Sequence, residues 1–505
     1  MSINLACIVV GCLLALYLAQ DFLYPKTKPL PPGPQPLPLI GNIHQHQSAS
    51  PWGKHQEWHR KYGPIITLKL GSRTVIMLGS QKVVRDFARM GYLYSSRPRL
   101  ILVGEWMFSG MLPALMPNGA QWDASHKLIA PLFAGHAVKT YNEAEALESA
   151  RMVYELLGTQ WHPTYFRTYT SSIAKLLGYG QRDGPDQADE AAQVEALIYE
   201  AFGAVSIDKV LVDLYPCLDH LPAVFAKFKM TARRHQKRVL DLWSLRAKRA
   251  IQRSDVWSWT QVVHKNMPEA VMSWEHFIFL LFELESAATI TTAQFLNIFV
   301  TIALEHPHSI QRAQSEMDAV VGHDKLPSFT DQDQLPYLNA FILEIARHRT
   351  MVPVGFPHAA MEEGEYMGYR IPTDALIMSN QWLLNMDEST YDNPEVFRPD
   401  RWIENPSLPL PSLFGFGRRK CPGERMAKDS IFIAIARLLW AFDIKQTAQE
   451  KRASSTDTHN LLYIPQIENV TFEVRSAKHR AVVERQWREL DKDERHLMER
   501  ISRYM

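Results

Sequence analysis

Cysteine is scarce in this sequence. Its 505 residues include four cysteines, and their spacing matches neither a zinc site nor a disulfide framework. They are Cys7, Cys12, Cys217 and Cys421. The scarcity argues against a small fold held together by disulfides and favours a reducing compartment.

An excess of charge of either sign is also absent. The 55 Lys and Arg residues balance 54 Asp and Glu residues, so the formal net charge is +1. This balance argues against a polyanionic partner and therefore against nucleic-acid binding. A glycine-rich dinucleotide fingerprint after a predicted strand is missing too, which argues against a nucleotide-binding domain of that type.

Neither an internal repeat nor a convincing linker occurs between residues 40 and 475, so the sequence predicts one large domain. Residues 65–70 and 74–78 have the pattern of a β-hairpin, and small strand signals recur at 365–371 and 471–474. The other apolar segments have helical periodicity. They lie at residues 142–157, 188–205, 222–251, 274–305, 307–321, 336–348 and 424–441. The predicted fold class is mainly α with small β-sheets.

The N-terminal residues form a separate region. Residues 3–19 are almost entirely apolar, and seven prolines lie between Pro25 and Pro38. We predict a transmembrane anchor at residues 1–24 and a stiff proline-rich hinge at residues 25–38. A cleaved signal peptide is the alternative, but the apolar run has no basic leader and no clear small-x-small cleavage site. Two lysines after the run favour a body on the cytoplasmic side of the membrane.

The C-terminal residues 477–505 form a predicted helical tail that is dense in charge. Its apolar residues nevertheless recur on one helical face. They are Val483, Trp487, Leu490, Leu497 and Ile501. Such a face belongs either to a terminal helix that docks on the body or to a helix that binds a partner protein.

A single cysteine near the C-terminal end is surrounded by glycines and cations. Residues 414–423 read Phe-Gly-Phe-Gly-Arg-Arg-Lys-Cys-Pro-Gly. The first two glycines permit a turn that side chains would block, and Gly423 permits the following helix to approach a flat ligand closely. Cys421 is therefore a candidate thiolate ligand of a large planar metal cofactor, and Arg419 a candidate partner for a carboxylate of that cofactor. Taken alone, the segment is also compatible with a tight turn around a buried thiol.

Two further segments favour a cofactor ligand over a buried structural thiol as the role of Cys421. Glu344 and Arg347 lie three residues apart on one face of a predicted helix, and Arg401 follows in the proline-marked stretch 397–402. An isolated helical Glu/Arg pair is ordinarily a solvated surface pair. The ordered combination of this pair, the later arginine and the cysteine segment is much rarer by chance.

These motifs resemble those of the cytochrome P-450 superfamily of haem-thiolate monooxygenases, and the resemblance extends over about residues 31–476. It implies a single, mainly α catalytic domain of the cytochrome P-450 type at residues 39–476, with small β-sheets. It also implies heme b, iron protoporphyrin IX, with Cys421 as the axial thiolate ligand of the iron. The Glu/Arg set would then be buried and would support the cysteine segment.

Other segments resemble the microsomal eukaryotic branch of the superfamily, in particular fungal enzymes of secondary metabolism. These segments are the proline-rich hinge, residues 94–98 (Tyr-Ser-Ser-Arg-Pro) and residues 391–395. The resemblance implies a single-pass protein of the endoplasmic reticulum membrane with a cytoplasmic catalytic domain. Electrons would come from an NADPH-dependent flavoprotein reductase, because the chain has no spare length for flavin domains.

The resemblance also indicates which residues bind the haem propionates. Arg419 is one, and His358 occupies a position where the family places an arginine or a histidine. Trp122 and His126 lie four residues apart on one predicted helical face, and the family usually has an arginine where His126 stands. His126 either contacts a propionate or is an ordinary surface histidine.

The long central helix departs from the family pattern. The family carries an acid followed by a threonine there, whereas this chain has Ile290 followed by Thr291, and Ala288 replaces a glycine. In the family the threonine holds water at the haem while the acid relays protons from solvent. Thr291 is therefore the predicted catalytic residue, and Ile290 cannot relay a proton. Candidates for a substitute relay are Thr289, Glu285, ordered water and a polar group of the substrate.

The predicted substrate contacts are apolar and aromatic, which suits a lipophilic, multi-ring or isoprenoid-like molecule. They are Ile101, Val103, Trp106, Phe108, Met111, Ala287 and Phe356. The predicted function is activation of dioxygen and hydroxylation of such a molecule. Because Ile290 replaces the acid, an alternative on the same scaffold is oxidation without oxygen insertion, such as coupling, desaturation or rearrangement. A more distant alternative is an inactive haem-binding protein.

Overall fold

The fold is known from a computed structural model. It describes residues 28–45, 51–182, 188–205, 210–253, 255–446, 463, 465, 467 and 469–503. The predicted membrane anchor at residues 1–24 lies outside the described residues, as do residues 25–27 of the predicted hinge.

Residues 28–38 of the predicted hinge lie against the protein body. The Thr67 N–H donates to the carbonyl oxygen of Pro32 at 3.0 Å, and the Arg370 N–H donates to that of Pro29 at 2.9 Å. A Cβ at Gly33 would overlap the carbonyl oxygen of Thr67, so the close approach of these two segments requires glycine. The described part of the hinge is therefore packed on the body and is not a free spacer.

Helices make up most of the regular structure. The α-helices among the described residues, in chain order, are α1 Pro51–Tyr62, α2 Gln81–Arg89, α3 Ala120–Ile129, α4 Gly135–Leu156, α5 Tyr165–Tyr179, α6 Ala188–Gly203, α7 Leu211–Leu214, α8 Lys227–Gln252, α9 Trp259–Lys265, α10 Trp274–Glu305, α11 Pro307–Val320, α12 Pro336–His348, α13 Gln381–Asn385, α14 Arg401–Glu404, α15 Glu424–Ala441, α16 Ala477–Glu489 and α17 Glu494–Ser502. Residues Ile101–Met107 form a short π-helix. The mainly α class predicted from the sequence is confirmed.

The strands form three small sheets. They are β1 Ile65–Leu70, β2 Arg73–Leu78, β3 His358–Ala359, β4 Gly364–Tyr366, β5 Tyr369–Ile371, β6 Leu376–Ser379, β7 Phe442–Gln446 and β8 Val470–Val474. The largest sheet has the order β1-β2-β6-β3, in which β2 and β6 are parallel and the other pairs are antiparallel. The predicted hairpin is the β1-β2 pair, with Ile65 opposite Leu78. The antiparallel pairs β4-β5 and β7-β8 form the two remaining sheets.

Helix α10 passes through the centre of the molecule and packs against α5, α8 and α15. It begins at Trp274, where the Ser273 side chain caps the first turn by accepting the His276 N–H, and it ends just before Pro307. It is apolar on nearly all sides, which is typical of a buried helix. Among the described residues it alone has the length and composition of a membrane span, but 72% of its most apolar window is buried inside the protein.

The predicted Glu/Arg set forms a buried cluster. Arg347 donates to Glu344 Oε1 and Oε2 at 2.7 and 3.0 Å, and Arg401 Nε donates to Glu344 Oε1 at 3.2 Å. Arg347 also donates to the carbonyl oxygen of Asn385 at 3.0 Å, while the side-chain oxygen of Asn385 accepts the Ser412 N–H at 3.1 Å. The cluster therefore fixes the chain that leads into the cysteine segment.

The C-terminal tail docks on the body as two helices. Helix α16 packs on α4 and α15, and α17 packs on α4. Val483, Leu497 and Ile501 are buried, and Trp487 is half-buried. Leu490 follows the last residue of α16 and is 36% exposed, so it is not part of the buried face. Most of the predicted apolar face is thus covered within the chain.

Candidate functional site

Cys421 lies between the helical turn Gly417–Arg419 and α15. Gly415 and the first residue of that turn have φ values of +71° and +59°, in the left-handed region that favours glycine. The Cys421 N–H donates to the carbonyl oxygen of Phe414 at 2.9 Å, which closes the loop. The Gly423 N–H donates to the sulfur, and a Cβ at Gly423 would lie 3.9 Å from it. The loop thus presents the sulfur at the start of α15.

The sulfur faces an internal cavity of about 370 Å³. All six site residues predicted from the sequence line this cavity. They are Trp122, His126, Thr291, His358, Arg419 and Cys421. The surrounding protein desolvates the thiol and raises the pKa of Cys421, and the Gly423 N–H opposes this effect. The free thiol is therefore hard to ionise, whereas a metal ion would displace its proton.

Two guanidinium groups lie on the cavity wall, that of Arg97 buried and that of Arg419 partly buried. Arg419 donates to the carbonyl oxygen of Met116 at 2.8 Å, and Arg97 donates to those of Ala114 and Pro357 at 2.7 and 2.8 Å. Burial lowers the pKa of Arg97 to about 10 and that of Arg419 to about 9, and the charge of Arg97 lowers the pKa of Arg419 further. Sequence reasoning missed Arg97 as a site residue, because it used residues 94–98 only to place the chain in a branch.

The predicted histidines occupy different positions on the wall. The His358 Nδ1 lies 2.9 Å from the carbonyl oxygen of Tyr94, so it carries the proton. Burial, assisted by Arg97, lowers the pKa of His358 to about 3, and the ring is therefore neutral unless an anion lies beside it. His126 lies beside Trp122 on α3, with ring centroids 5.1 Å apart. Both line the cavity, as the i, i+4 spacing predicts.

Helix α10 exposes a strip of small and polar residues to the cavity. Ala287, Ala288 and Thr291 line it, and the Thr291 hydroxyl donates to the carbonyl oxygen of Ala287 at 2.8 Å. Ile290 is only 4% exposed and belongs to the hydrophobic core. The position that carries an acid in the predicted family pattern is thus apolar in its side chain and in its surroundings.

The protein relays suggested by the sequence do not line this cavity. Glu285 is buried and accepts two hydrogen bonds from Arg246, at 2.9 and 2.7 Å, and one from the Tyr179 hydroxyl at 2.9 Å. Thr289 is also buried, and its carbonyl oxygen accepts from Thr170 at 2.7 Å. Neither belongs to the cavity wall among the described residues.

A carboxyl group that sequence reasoning missed does line the cavity. Glu283 is eight residues before Thr291, so both lie on the same face of α10. Its Oε2 accepts the Ala114 N–H at 2.7 Å, and no hydrogen bond to Oε1 occurs among the described residues. Burial raises the pKa of Glu283 to about 7 despite the opposing effects of the Ala114 N–H and the two arginines. Counting back from Thr291 four residues at a time along the predicted helix, to Ala287 and then to Glu283, could have identified this carboxyl group.

Four of the seven residues predicted to contact the substrate line the cavity. Val103, Phe108, Ala287 and Phe356 line the cavity. Ile101, Trp106 and Met111 are not among the described lining residues. Val103 lies within the π-helix at Ile101–Met107, and Phe108 directly follows it. The sequence pattern could not reveal this non-standard helix.

The donor set of the cavity fits an iron porphyrin. Cys421 would supply a thiolate for iron, and Gly423 leaves room beside the sulfur. Arg97 is a buried cation and Arg419 a partly buried one, and the carboxylates of the porphyrin would supply their counter-charge. Trp122, which lies 4.0 Å from the Arg419 guanidinium carbon, holds that side chain in place by a cation–π contact.

Comparisons with a family model and with individual proteins point to the same family. The family model described as Cytochrome P450 matches residues 31–472. The chain is 36% identical over 482 residues to cytochrome P450 monooxygenase aneD of Aspergillus aculeatus, which covers 94% of this chain and 93% of the relative. It is 38% identical over 442 residues to cytochrome P450 monooxygenase drtD of Aspergillus calidoustus (87% and 83% covered). It is 32% identical over 487 residues to fumitremorgin C synthase of Neosartorya fischeri (91% and 90% covered).

Proposed function

From the premise that the chain belongs to the cytochrome P450 family of haem-thiolate monooxygenases, we propose that Cys421 is the thiolate ligand and that the adjoining cavity oxidises a lipophilic small molecule. The family uses dioxygen, and the matched relatives are fungal cytochrome P450 monooxygenases of secondary metabolism. The observation that carries the proposal is the grouping of Cys421, Arg97 and Arg419 on one cavity wall.

Different residues around the cavity would bind different parts of the haem. Haem supplies activation of dioxygen, and its cysteine ligand favours cleavage of the O–O bond. The Gly423 N–H stabilises the negative charge on the Cys421 sulfur. Arg97 and Arg419 neutralise the propionates, with His126 and Trp122 contributing from α3. A propionate beside His358 would raise the pKa of its ring and favour a second proton there.

The lining of the cavity suggests the chemical class of the substrate. Val103, Phe108 and Phe356 form an apolar and aromatic wall, which favours a lipophilic molecule. Glu283 adds one hydrogen-bond acceptor to this wall, because its Oε2 is fixed by the Ala114 N–H while Oε1 has no partner among the described residues. A lipophilic molecule that carries an N–H or ammonium group meets both conditions.

Thr291 is the proposed catalytic residue. Its hydroxyl donates to Ala287 within the helix, so the hydroxyl oxygen can accept a hydrogen bond from a water molecule in the cavity. Glu283 is the carboxyl group on the same helix face that can exchange protons with such water. Glu285 is held by Arg246 and Tyr179 and plays no part in this route.

One observation favours the second candidate, oxidation without oxygen insertion. Ile290 is buried in the core, so the acid that delivers protons in the family pattern is missing beside Thr291. Coupling, desaturation or rearrangement on the same scaffold would suit this arrangement. Turnover under labelled dioxygen distinguishes hydroxylation from oxidation without oxygen insertion. Label in the product supports hydroxylation, whereas the absence of label from every product supports the second candidate.

The proposed enzyme needs an external electron donor and is attached to a membrane. An NADPH-dependent flavoprotein reductase would supply electrons, because the chain has no glycine-rich dinucleotide fingerprint. The apolar run at residues 3–19 would anchor the protein in the endoplasmic reticulum membrane, with the catalytic domain in the cytoplasm.

The first test is spectroscopic. The reduced wild-type protein treated with carbon monoxide is expected to show the red-shifted Soret band of thiolate-ligated haem. Cys421→Ser should lose this band, whereas Cys217→Ser, at an exposed cysteine, should keep it. A Cys421→Ser variant with an unchanged band would refute the assignment. A normal wild-type band without product or coupled NADPH consumption, with a reductase supplied, would instead indicate an inactive haem-binding protein.

A further inference from the structure

Three metal-ligating side chains meet where the C-terminal tail joins the body. Asp318 lies on α11, His323 lies in the loop that follows, and His479 lies in the first turn of α16. One ligand atom of each side chain lies within 4.8 Å of those of the other two. We propose that these three residues bind a divalent transition-metal ion of the Zn²⁺ class and so fasten the C-terminal helices to the catalytic domain.

His479 is already held in the orientation of a metal ligand. It is 5% exposed, its ring packs edge-on against Trp440 with centroids 4.5 Å apart, and its Nδ1 lies 2.8 Å from Ser476 Oγ. The Nε2 is buried and has no hydrogen-bond partner among the described residues. Metal-bound histidines commonly donate one ring N–H to a neighbouring oxygen and offer the other nitrogen to the ion.

A fixed turn places the other two ligands side by side. Gly322 has φ +73°, which reverses the chain after α11, and its carbonyl oxygen accepts the Trp440 indole N–H at 2.8 Å. His323 therefore returns towards α11, where its Nδ1 lies 3.7 Å from Asp318 Oδ1. This Nδ1 is buried and has no hydrogen-bond partner among the described residues. The His323 side chain as a whole is 44% exposed, so an ion and a water ligand can reach the site from solvent.

Arg475 both supports and weakens the site. Its guanidinium donates to the two carboxylate oxygens of Asp318 at 2.9 and 2.6 Å, which fixes the carboxylate but places a positive charge beside the ion. Two imidazoles and one carboxylate suit Zn²⁺ and Cu²⁺ better than Mg²⁺ or Ca²⁺. A tetrahedral Zn²⁺ site needs ligand atoms about 3.4 Å apart, whereas these atoms lie up to 4.8 Å apart, so the ligands must close by as much as about 1.4 Å when the ion binds.

The first test measures how many zinc ions bind to each full-length, haem-loaded chain. The wild type, His323→Gln and His136→Gln are dialysed against the same low concentration of Zn²⁺, and bound zinc is measured by atomic emission. His136 is an exposed histidine at the start of α4 and serves as the matched control. We expect His323→Gln to bind one zinc ion fewer per chain than the other two proteins. Equal zinc binding by all three proteins would refute the site.

A second measurement tests the proposed effect on the tail. Hydrogen–deuterium exchange is followed in peptides from α16 with and without Zn²⁺. Exchange should slow with Zn²⁺ in the wild type and in His136→Gln but not in His323→Gln, because the ion joins α16 to the loop after α11. If zinc binds through His323 but leaves this exchange unchanged, the ion does not fasten the tail, and that half of the proposal is wrong. Both readouts are independent of monooxygenase activity.

Discussion

Two carboxyl groups on helix α10 have different roles although they are only two residues apart. Successive residues in an α-helix are rotated by about 100°, so Glu283 and Glu285 point about 200° apart. Glu283 lines the cavity with Thr291, whereas Glu285 lies on the other side and pairs with Arg246. Ile290 therefore removes the acid next to the threonine without leaving the cavity free of acids.

The charge of Glu283 should determine which ligands bind. Glu283→Gln keeps the shape of the side chain and an acceptor for the Ala114 N–H, but it removes the negative charge. Ferric spin-state titrations should show about tenfold weaker binding of a lipophilic amine and unchanged binding of its carbon analogue. Because burial raises the pKa of Glu283 to about 7, the carboxylate forms as pH rises. Amine binding by the wild type should thus strengthen between about pH 6 and pH 8.

The same titrations distinguish two explanations for this residue. If Glu283 only holds the loop at Ala114 in place, the amine and its carbon analogue should weaken together in Glu283→Gln. Equal losses for the two ligands, or a pH dependence that persists in the variant, would contradict the proposed contact with the substrate.

Glu285 should contribute to stability and not to turnover. Glu285→Ala leaves the buried Arg246 without its carboxylate partner on α10, which should cost about 3 kcal/mol in the free energy of unfolding. Thermal unfolding of the haem-loaded variant measures this loss. In the fraction that remains folded, product formed per NADPH consumed should equal the wild-type value. A lower ratio would indicate that Glu285 takes part in proton delivery.

At the scale of elements, the cluster around Glu344 connects helix α12 to the chain before the cysteine loop. Glu344→Ala leaves Arg347 and Arg401 buried without their carboxylate, so we expect a loss of about 3–5 kcal/mol and a lower haem content per chain. Arg398→Ala is the matched control, because Arg398 is partly exposed and its partner Glu404 is exposed, and it should cost less than about 1 kcal/mol. Similar effects of the two variants on haem content would argue against this role.

The sequence predicted long apolar helices better than helices in which polar residues are buried. Helices α10, α12 and α15 lie at their predicted bounds because each carries a long apolar pattern. Helix α5 was missed because polar residues such as Thr170, Ser172 and Lys175 are buried beside its apolar residues, so residue type does not follow burial there. The parallel pairing of β2 with β6 was also missed, since about 300 residues separate the strands and no local signal records the contact.

The cavity residues also divide into those that a local motif reveals and those that only the fold brings together. Residues within a local motif, such as Cys421 and Arg419, could be selected from spacing alone. Arg97 and Glu283 join them only through the fold, because the segments before α3 and along α10 meet at Ala114. A single arginine or glutamate in those segments carries no local pattern that separates it from an ordinary surface residue.

At the scale of the whole molecule, the C-terminal helices extend the hydrophobic core beyond the cysteine loop and α15. Val483 and Ile501 belong to the same buried cluster as residues of α4 and α15. Arg500 adds an ion pair at 2.6 Å to Glu143 on α4, but this pair is partly exposed and contributes little. Apolar burial therefore supplies most of the docking free energy of the tail.

Docking of the tail predicts unequal effects of two similar truncations. Ile501 is fully buried, so Ile501→Ala should lower the free energy of unfolding by about 2–5 kcal/mol through lost contacts and a cavity. Leu490 is 36% exposed at the end of α16, so Leu490→Ala should change it by less than about 1 kcal/mol. Denaturant unfolding of the purified, haem-loaded proteins, with no partner present, measures both values. If neither variant destabilises the protein, the apolar face of the tail is not docked in solution and is instead available to a partner protein.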